Sequence, residues 1–319
     1  MKRNHRLLKR KERHPRTQPF ALLLIAALFA ACSGERTNIN IPSPPALVPI
    51  QLYTGIRTRA AIDAFIGTPV CVACGTSSGN YTQCWDGIAT ADRISLSPMR
   101  YYPTDGSALY LRGFYPPAPL SSDGTLAYSL TGEEDLMMTD ELSGSQDAPF
   151  TADESKILVH RHLLTQLSFL LKLNVPAPDR YAIRSLHLNG LAQDVRLSLL
   201  TEELECLTTA PPVVIYSSEA SGGSFPFKSG VARLPAFILV QPGADFTIDL
   251  TLAVDNNPSH DLIYTDLPIR FEGGVGEGGI SYTVSVDIPD PSIPDPQAVS
   301  VTATVRSWQG GDDGSGEVM

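Results

Sequence analysis

The chain has 319 residues, a formal net charge of −10, 43% hydrophobic side chains, 26 prolines and 25 glycines. Residues 1–31 hold eight of its 24 Lys/Arg and one of its 34 acids, so residues 32–319 carry a formal charge of −17. That balance excludes a protein that grips nucleic acid or anionic lipid through clustered Lys and Arg, and the apolar content excludes global disorder.

The first element is a basic leader, from Lys2 to Arg16, followed by an uncharged apolar run over residues 20–31. Crossing a bilayer takes about 20 apolar residues, so the shorter run reads as the core of a signal peptide. Leu28-Phe29-Ala30-Ala31-Cys32 resembles a bacterial lipobox, with Phe29 where leucine is usual. It predicts that Cys32 is acylated and becomes the first residue of the mature chain, with more than one acyl chain giving stable anchoring. Residues 32–46, polar and proline-bearing, form a flexible tether.

Residues 47–59 alternate, with Val48, Ile50, Leu52, Thr54, Ile56 and Thr58 on one face, as in a half-buried strand. Residues 71–90 are rich in Cys, Gly, Ser and Thr and read as a loop leading into Trp85. Cys71-x2-Cys74, with Cys84 downstream, admits a loop disulfide, a disulfide plus a free thiol, or a metal knuckle. No His or fourth Cys lies at zinc-finger spacing, so the disulfide readings are preferred; Cys206 could also pair with one of the three.

Strands are expected at 94–102, 108–115, 125–131 and 136–139, separated by Pro103-Thr104-Asp105-Gly106, Pro116-Pro117 and Asp123-Gly124. Residues 158–174 read as one long strand, and 182–191 and 195–200 as two more. Thr201 and the acids after it suggest a short helical turn over 201–208. Further strands follow at 236–241, 245–254, 261–271, 280–288 and 298–308, with the glycine-rich stretch 273–279 as a hairpin connection. Short strands at roughly 10-residue spacing are the signature of β-sandwiches. The acidic, glycine-rich residues 310–319 read as disordered.

Several pieces recur in a recognisable order. Tyr101-Tyr102-Pro103 and Asp105-Gly106 precede Leu111, Gly113, Phe114, Tyr115 and Pro116. Then come Tyr128-x-Leu130-Thr131-Gly132, Asp135-Leu136-Met137, Ser143-Gly144 and His162-Leu163-x3-Leu167-x-Phe169. With Thr58-Arg59-Ala60 upstream and Val305-x2-Trp308 near the end, this order resembles the fimbrillin-like (Mfa-like) lipoproteins of Bacteroidales. The resemblance implies an all-β fold of two transthyretin-like Greek-key β-sandwich domains in tandem. It also implies a subunit, anchor or tip of a surface pilus that assembles with subunits of the same family. In such proteins an N-terminal strand fills a groove until cleavage after an arginine lets a partner's strand replace it. Carried onto this chain, residues 47–56 are the plug, Arg57 or Arg59 marks the cut, and residues 298–308 are the donor, with Val299, Val301, Ala303 and Val305 as inserting side chains. The cysteines and the acidic tail depart from the family pattern.

Other constellations are weaker. His160-x-His162 sets two imidazoles on one side of a strand, but no third ligand is identifiable, and structural histidines are expected. Glu133, Glu134, Asp135, Asp140 and Glu141 lack the glycine and spacing of an EF-hand loop and read as a solvated turn. There is no phosphate loop or His-Glu-x-x-His, so no catalysis, metal or cofactor is expected. The expected organisation is a signal peptide (1–31), a tether (32–46), sandwiches at 47–154 and 155–309, and a tail (310–319). The protein is then an outer-membrane surface lipoprotein of a fimbria that supports adhesion. A rival reading is a monomeric surface lipoprotein that binds glycans or host protein through loops, with Trp85, Tyr101, Tyr102 and Tyr115 as stacking platforms.

Overall fold

The structure is a computed structural model, and it describes residues 46–56, 65–289, 291 and 299–306. Cys32, Arg57, Arg59, residues 32–45 of the tether and the acidic tail lie outside the described residues. The N-terminal strands are β1 (Leu52–Ile56), β2 (Pro69–Gly75), β3 (Gln83–Ala89), β4 (Arg93–Leu96), β5 (Leu109–Tyr115), β6 (Thr125–Ser129), β7 (Met137–Met138), β8 (Leu142–Gly144) and β9 (Ile157–His162). The central ones are β10 (Thr165–Leu173), β11 (Tyr181–Asn189), β12 (Asp194–Ser198), β13 (Leu204–Cys206), β14 (Val213–Ser217) and β15 (Phe225–Pro226). The last are β16 (Val231–Val240), β17 (Thr247–Val254), β18 (Asn257–Pro268), β19 (Arg270–Phe271), β20 (Ser281–Ile288) and β21 (Ser300–Arg306). The molecule is nearly all-β, as expected from its alternating segments.

The first sheet runs β2-β3-β4-β1-β9-β7-β5-β8 and closes on itself, because β2 also pairs with β5. Its strands are amphipathic in the period-two sense, and each turns one set of side chains inward. Ile50, Leu52, Val70, Val72, Trp85, Ile94, Leu109, Leu111, Met137 and Leu158 fill the interior. The outer face of β2 and β5 is covered by a three-stranded sheet, β13-β12-β6. Cys71, Ala73, Phe114, Leu126, Val195 and Leu197 form the core between them.

The remaining strands make two facing five-stranded arrays. One runs β16-β10-β20-β21-β19; the other runs β14-β11-β17-β18, with β15 on β11. Leu167, Phe169 and Leu171 of β10, Ile183 and Leu186 of β11, Leu250 and Leu252 of β17, and Val284 and Val286 of β20 pack between them in one core. This is sandwich packing, with alternate residues facing inward from both layers.

Four local expectations differ from the structure. Residues 71–90 are not a loop: they form most of the β2–β3 hairpin, paired from Pro69↔Ile88 to Cys74↔Gln83. Ladder hydrogen bonding and burial of Cys71 and Cys74 override the loop-like composition. The segment 158–174 is two strands in different sheets: β9 pairs with β1 and β7, and β10 with β16 and β20. The break falls at Leu163-Leu164, whose apolar side chains gave no turn signal. Residues 201–208 contain the strand β13 rather than a helical turn. The stretch 273–279 is not a hairpin, since β19 and β20 both flank β21. Because β9 follows residue 154 and β12 and β13 pair with β6, no single cut at 154 leaves every sheet whole.

Candidate functional site

The expected plug, residues 47–56, is seated inside the closed sheet. Leu52 and Tyr53 pair antiparallel with Ile94 and Arg93, while Tyr53 to Ile56 pair in parallel with Ile157 to His160. Upstream of β1, the Ile50 N–H donates to the Arg100 carbonyl at 2.8 Å and the Tyr102 N–H to the Val48 carbonyl at 3.0 Å. The segment is therefore tied by its backbone from residue 48 to its end. Ile50, Leu52 and Thr54 point inward and are buried. On the outer face the Arg93 guanidinium stacks over the Tyr53 ring at 5.0 Å.

Thr54 gives this seat a polar contact. Its hydroxyl donates to the Leu158 carbonyl at 3.0 Å, and its oxygen lies 3.2 Å from His160 Nδ1. His160 is fully buried, its ring 5.0 Å from that of Phe65. On its other side the sheet makes room: a Cβ added at Gly113 would lie 3.0 Å from His160 Nε2, so β5 needs glycine there. Burial pushes the His160 imidazole down to about 4 from 6.5.

The expected donor segment is β21, held in its own sheet. It pairs with β20 from Ser300↔Asp287 to Arg306↔Ser281, and with β19 at Thr302 and Ala303. Val301 and Ala303 are buried in the sandwich core and Val299 is half-buried against it, whereas Val305 is 58% exposed. Three of the four side chains thus face an apolar core within this chain, and the fourth projects past it.

Two of the cysteines meet and two stand apart. Cys71, Cys74, Cys84 and Cys206 are free thiols. Cys71 and Cys74, three apart on one strand, face opposite sides of β2. Cys74 lies in the interior core, where burial pushes its thiol up to about 12. Cys71 shares the outer core with Cys84, but the ladder sets Cys71 opposite Asp86 and Cys84 opposite Ala73. On that diagonal the two thiols still meet: they are hydrogen-bonded to each other, which lowers the Cys71 thiol and raises that of Cys84.

The two histidines also take separate partners, since His162 Nδ1 contacts Asp135 at 2.6 Å. The acids near them act as clasps rather than a solvated turn. Glu134 binds the Thr131 N–H and hydroxyl at 2.6 and 2.8 Å. Glu141 accepts from the Ser78 hydroxyl, the Gly79 N–H and the Tyr81 hydroxyl at 2.6 to 2.8 Å. Of the four aromatic residues considered as platforms, Trp85 and Tyr102 are buried and Tyr115 is half-buried; Tyr101 is exposed. One cluster had no local sequence signal: Arg112 of β5, largely buried, and Arg161 of β9 both bind Glu202 in the β12–β13 turn, Arg112 at 2.9 Å.

No protein-family model matches the chain, and no curated protein sequence matches it. Solved structures do. A protein assigned to cell adhesion from Bacteroides uniformis superposes over 82% of this chain and 98% of its own, with a TM-score of 0.52 at 15% identity. The chain shares its fold. A fimbrial protein from Bacteroides vulgatus superposes over 81% of this chain and 99% of its own, with a TM-score of 0.50 at 10% identity.

Proposed function

We propose that the chain is a structural component of a cell-surface pilus (a subunit, anchor or tip) that assembles by exchange of β-strands and supports adhesion. The observation that carries this reading is the seat of β1. A short N-terminal strand fills the middle of a sheet and ends at Ile56, one residue before the first candidate cleavage site. Once cut at Arg57 or Arg59, it can leave without breaking any later part of the chain. Its departure opens an apolar slot flanked by two unpaired backbone edges, β4 and β9, which an extended segment of another subunit completes. The fold shared with an adhesion-assigned and a fimbrial protein supports the same reading.

In this account Cys32 carries the lipid, residues 32–46 tether the body, and the protein sits on the outer membrane facing outwards. Residues 298–308 are the donor segment for the next subunit and leave their own sheet to reach it. The chemistry is backbone pairing and side-chain insertion, with no catalysis and no cofactor. Electron microscopy of the purified protein with and without trypsin tests the reading. Polymers that form after cleavage support it; a trimmed protein that stays monomeric favours a surface lipoprotein that binds ligands through its loops.

A further inference from the structure

We propose that His160 makes the seat of β1 acid-labile: a proton taken up by its ring releases residues 48–56 while the C-terminal sandwich stays folded. The single hydroxyl hydrogen of Thr54 is committed to the Leu158 carbonyl, so Nδ1 contributes the hydrogen in the 3.2 Å contact with Thr54. That leaves Nε2 as the bare, proton-accepting nitrogen. It is buried, has no hydrogen-bond partner among the described residues, and faces the space left by Gly113. A proton arriving there from solvent creates a cation in an apolar interior with no acceptor for its new N–H among the described residues, which is a large penalty.

Among the described residues no charge stands ready to offset it. From β1 the ring meets Thr54, from β5 Gly113, and from the segment before β2 the Phe65 ring, which in turn meets Tyr115. Arg112, beside Gly113, is bound to Glu202. On the strand of His160 itself, Arg161 reaches Asp140 and Glu202, and His162 is held by Asp135. The carbonyls of Leu158 and Gly55 favour the cation, but burial outweighs them.

The cheapest relief is to lift β1. It is short and N-terminal, whereas β5 and β9 are internal strands held by β2 and β7 as well. The sign follows. Above about pH 6.5 the ring is neutral whether β1 is seated or released, and the seat has full strength. Between 6.5 and about 4 the released form binds the proton and the seated form does not, so the seat weakens as pH falls. The proposal concerns the strand's seat and holds whether or not a partner's strand later takes its place.

Hydrogen exchange followed by mass spectrometry tests it, with residues 48–56 compared against β20 and rates corrected for the intrinsic effect of pH. Lowering the pH from about 7.5 to about 5 is expected to raise the opening of 48–56 on the order of tenfold or more, with no matching change in β20. His160→Gln is expected to abolish that difference. Equal responses in both segments, no response, or a response that survives His160→Gln would each overturn the proposal. Should His160→Gln fail to fold, the native chain still decides. The His160 ring signal, followed by NMR, must titrate with the same midpoint as the opening of 48–56, and a clearly different midpoint overturns the claim.

Discussion

Leu52 concentrates the energetics of the β1 seat in one side chain, since it is 1% exposed and packed on Ile94 and Leu158 in the interior core. Leu52→Ala is expected to cost about 2–5 kcal/mol by urea unfolding, the usual price of a buried leucine truncation. Glu202→Ala is a second residue-scale test. It strands the largely buried Arg112 guanidinium, and the expected loss is about 1–3 kcal/mol, because half the cluster is open to water. The thiols give a third. Cys206 is exposed and is expected to alkylate in the folded protein, while Cys71 and Cys74 react only after denaturation. Early modification of Cys74 would contradict the closed interior. At this scale the sequence was legible where a pattern is local. The inward set Ile50, Leu52 and Thr54 followed from alternation alone. Arg112 with Glu202 did not, because partners far apart in sequence meet only once the β12–β13 turn docks on the first sheet. Cys71 and Cys74 misled for a related reason: close spacing suggested pairing, and a strand sends residues three apart to opposite faces.

Among the elements, most strands of the second half could be read from β-branched alternation, and β17, β20 and β21 lie within a few residues of their expected bounds. What alternation does not encode is the sheet a strand joins. The residues of β9 and β10 form one unbroken apolar pattern, yet β9 completes the first sheet and β10 the sandwich. Composition failed in β2 and β3, where glycine and cysteine sit in strands held by neighbours on both sides. The last strand offers a prediction that separates fold from assembly. Val301→Asp buries a carboxylate in the sandwich core and is expected to destabilise the subunit by about 3 kcal/mol or more. Val305→Asp, at an exposed position, is expected to change stability by no more than about 0.5 kcal/mol. If β21 also serves as donor, Val305→Asp reduces polymer yield, because the side chain enters an apolar slot in the next subunit. Unchanged polymerisation by Val305→Asp would remove Val305 from the inserting set.

At the scale of the whole molecule, a closed first sheet with a short N-terminal strand is followed by a sandwich that holds β21, the proposed donor. The formal charge of −17 over residues 32–319 keeps such bodies apart in solution. In the proposed assembly the contact between subunits is then directed rather than general stickiness, which strand exchange would supply. The most direct test locks the strand. Leu52 and Ile94 are opposite partners in the β1–β4 ladder and both point inward, so Leu52→Cys with Ile94→Cys can bridge β1 to its neighbour. After cleavage by an arginine-specific protease, the oxidised double variant is predicted to keep residues 47–56 and remain monomeric, and reduction is predicted to restore polymers. Polymers of equal length from the oxidised and reduced forms would contradict the account.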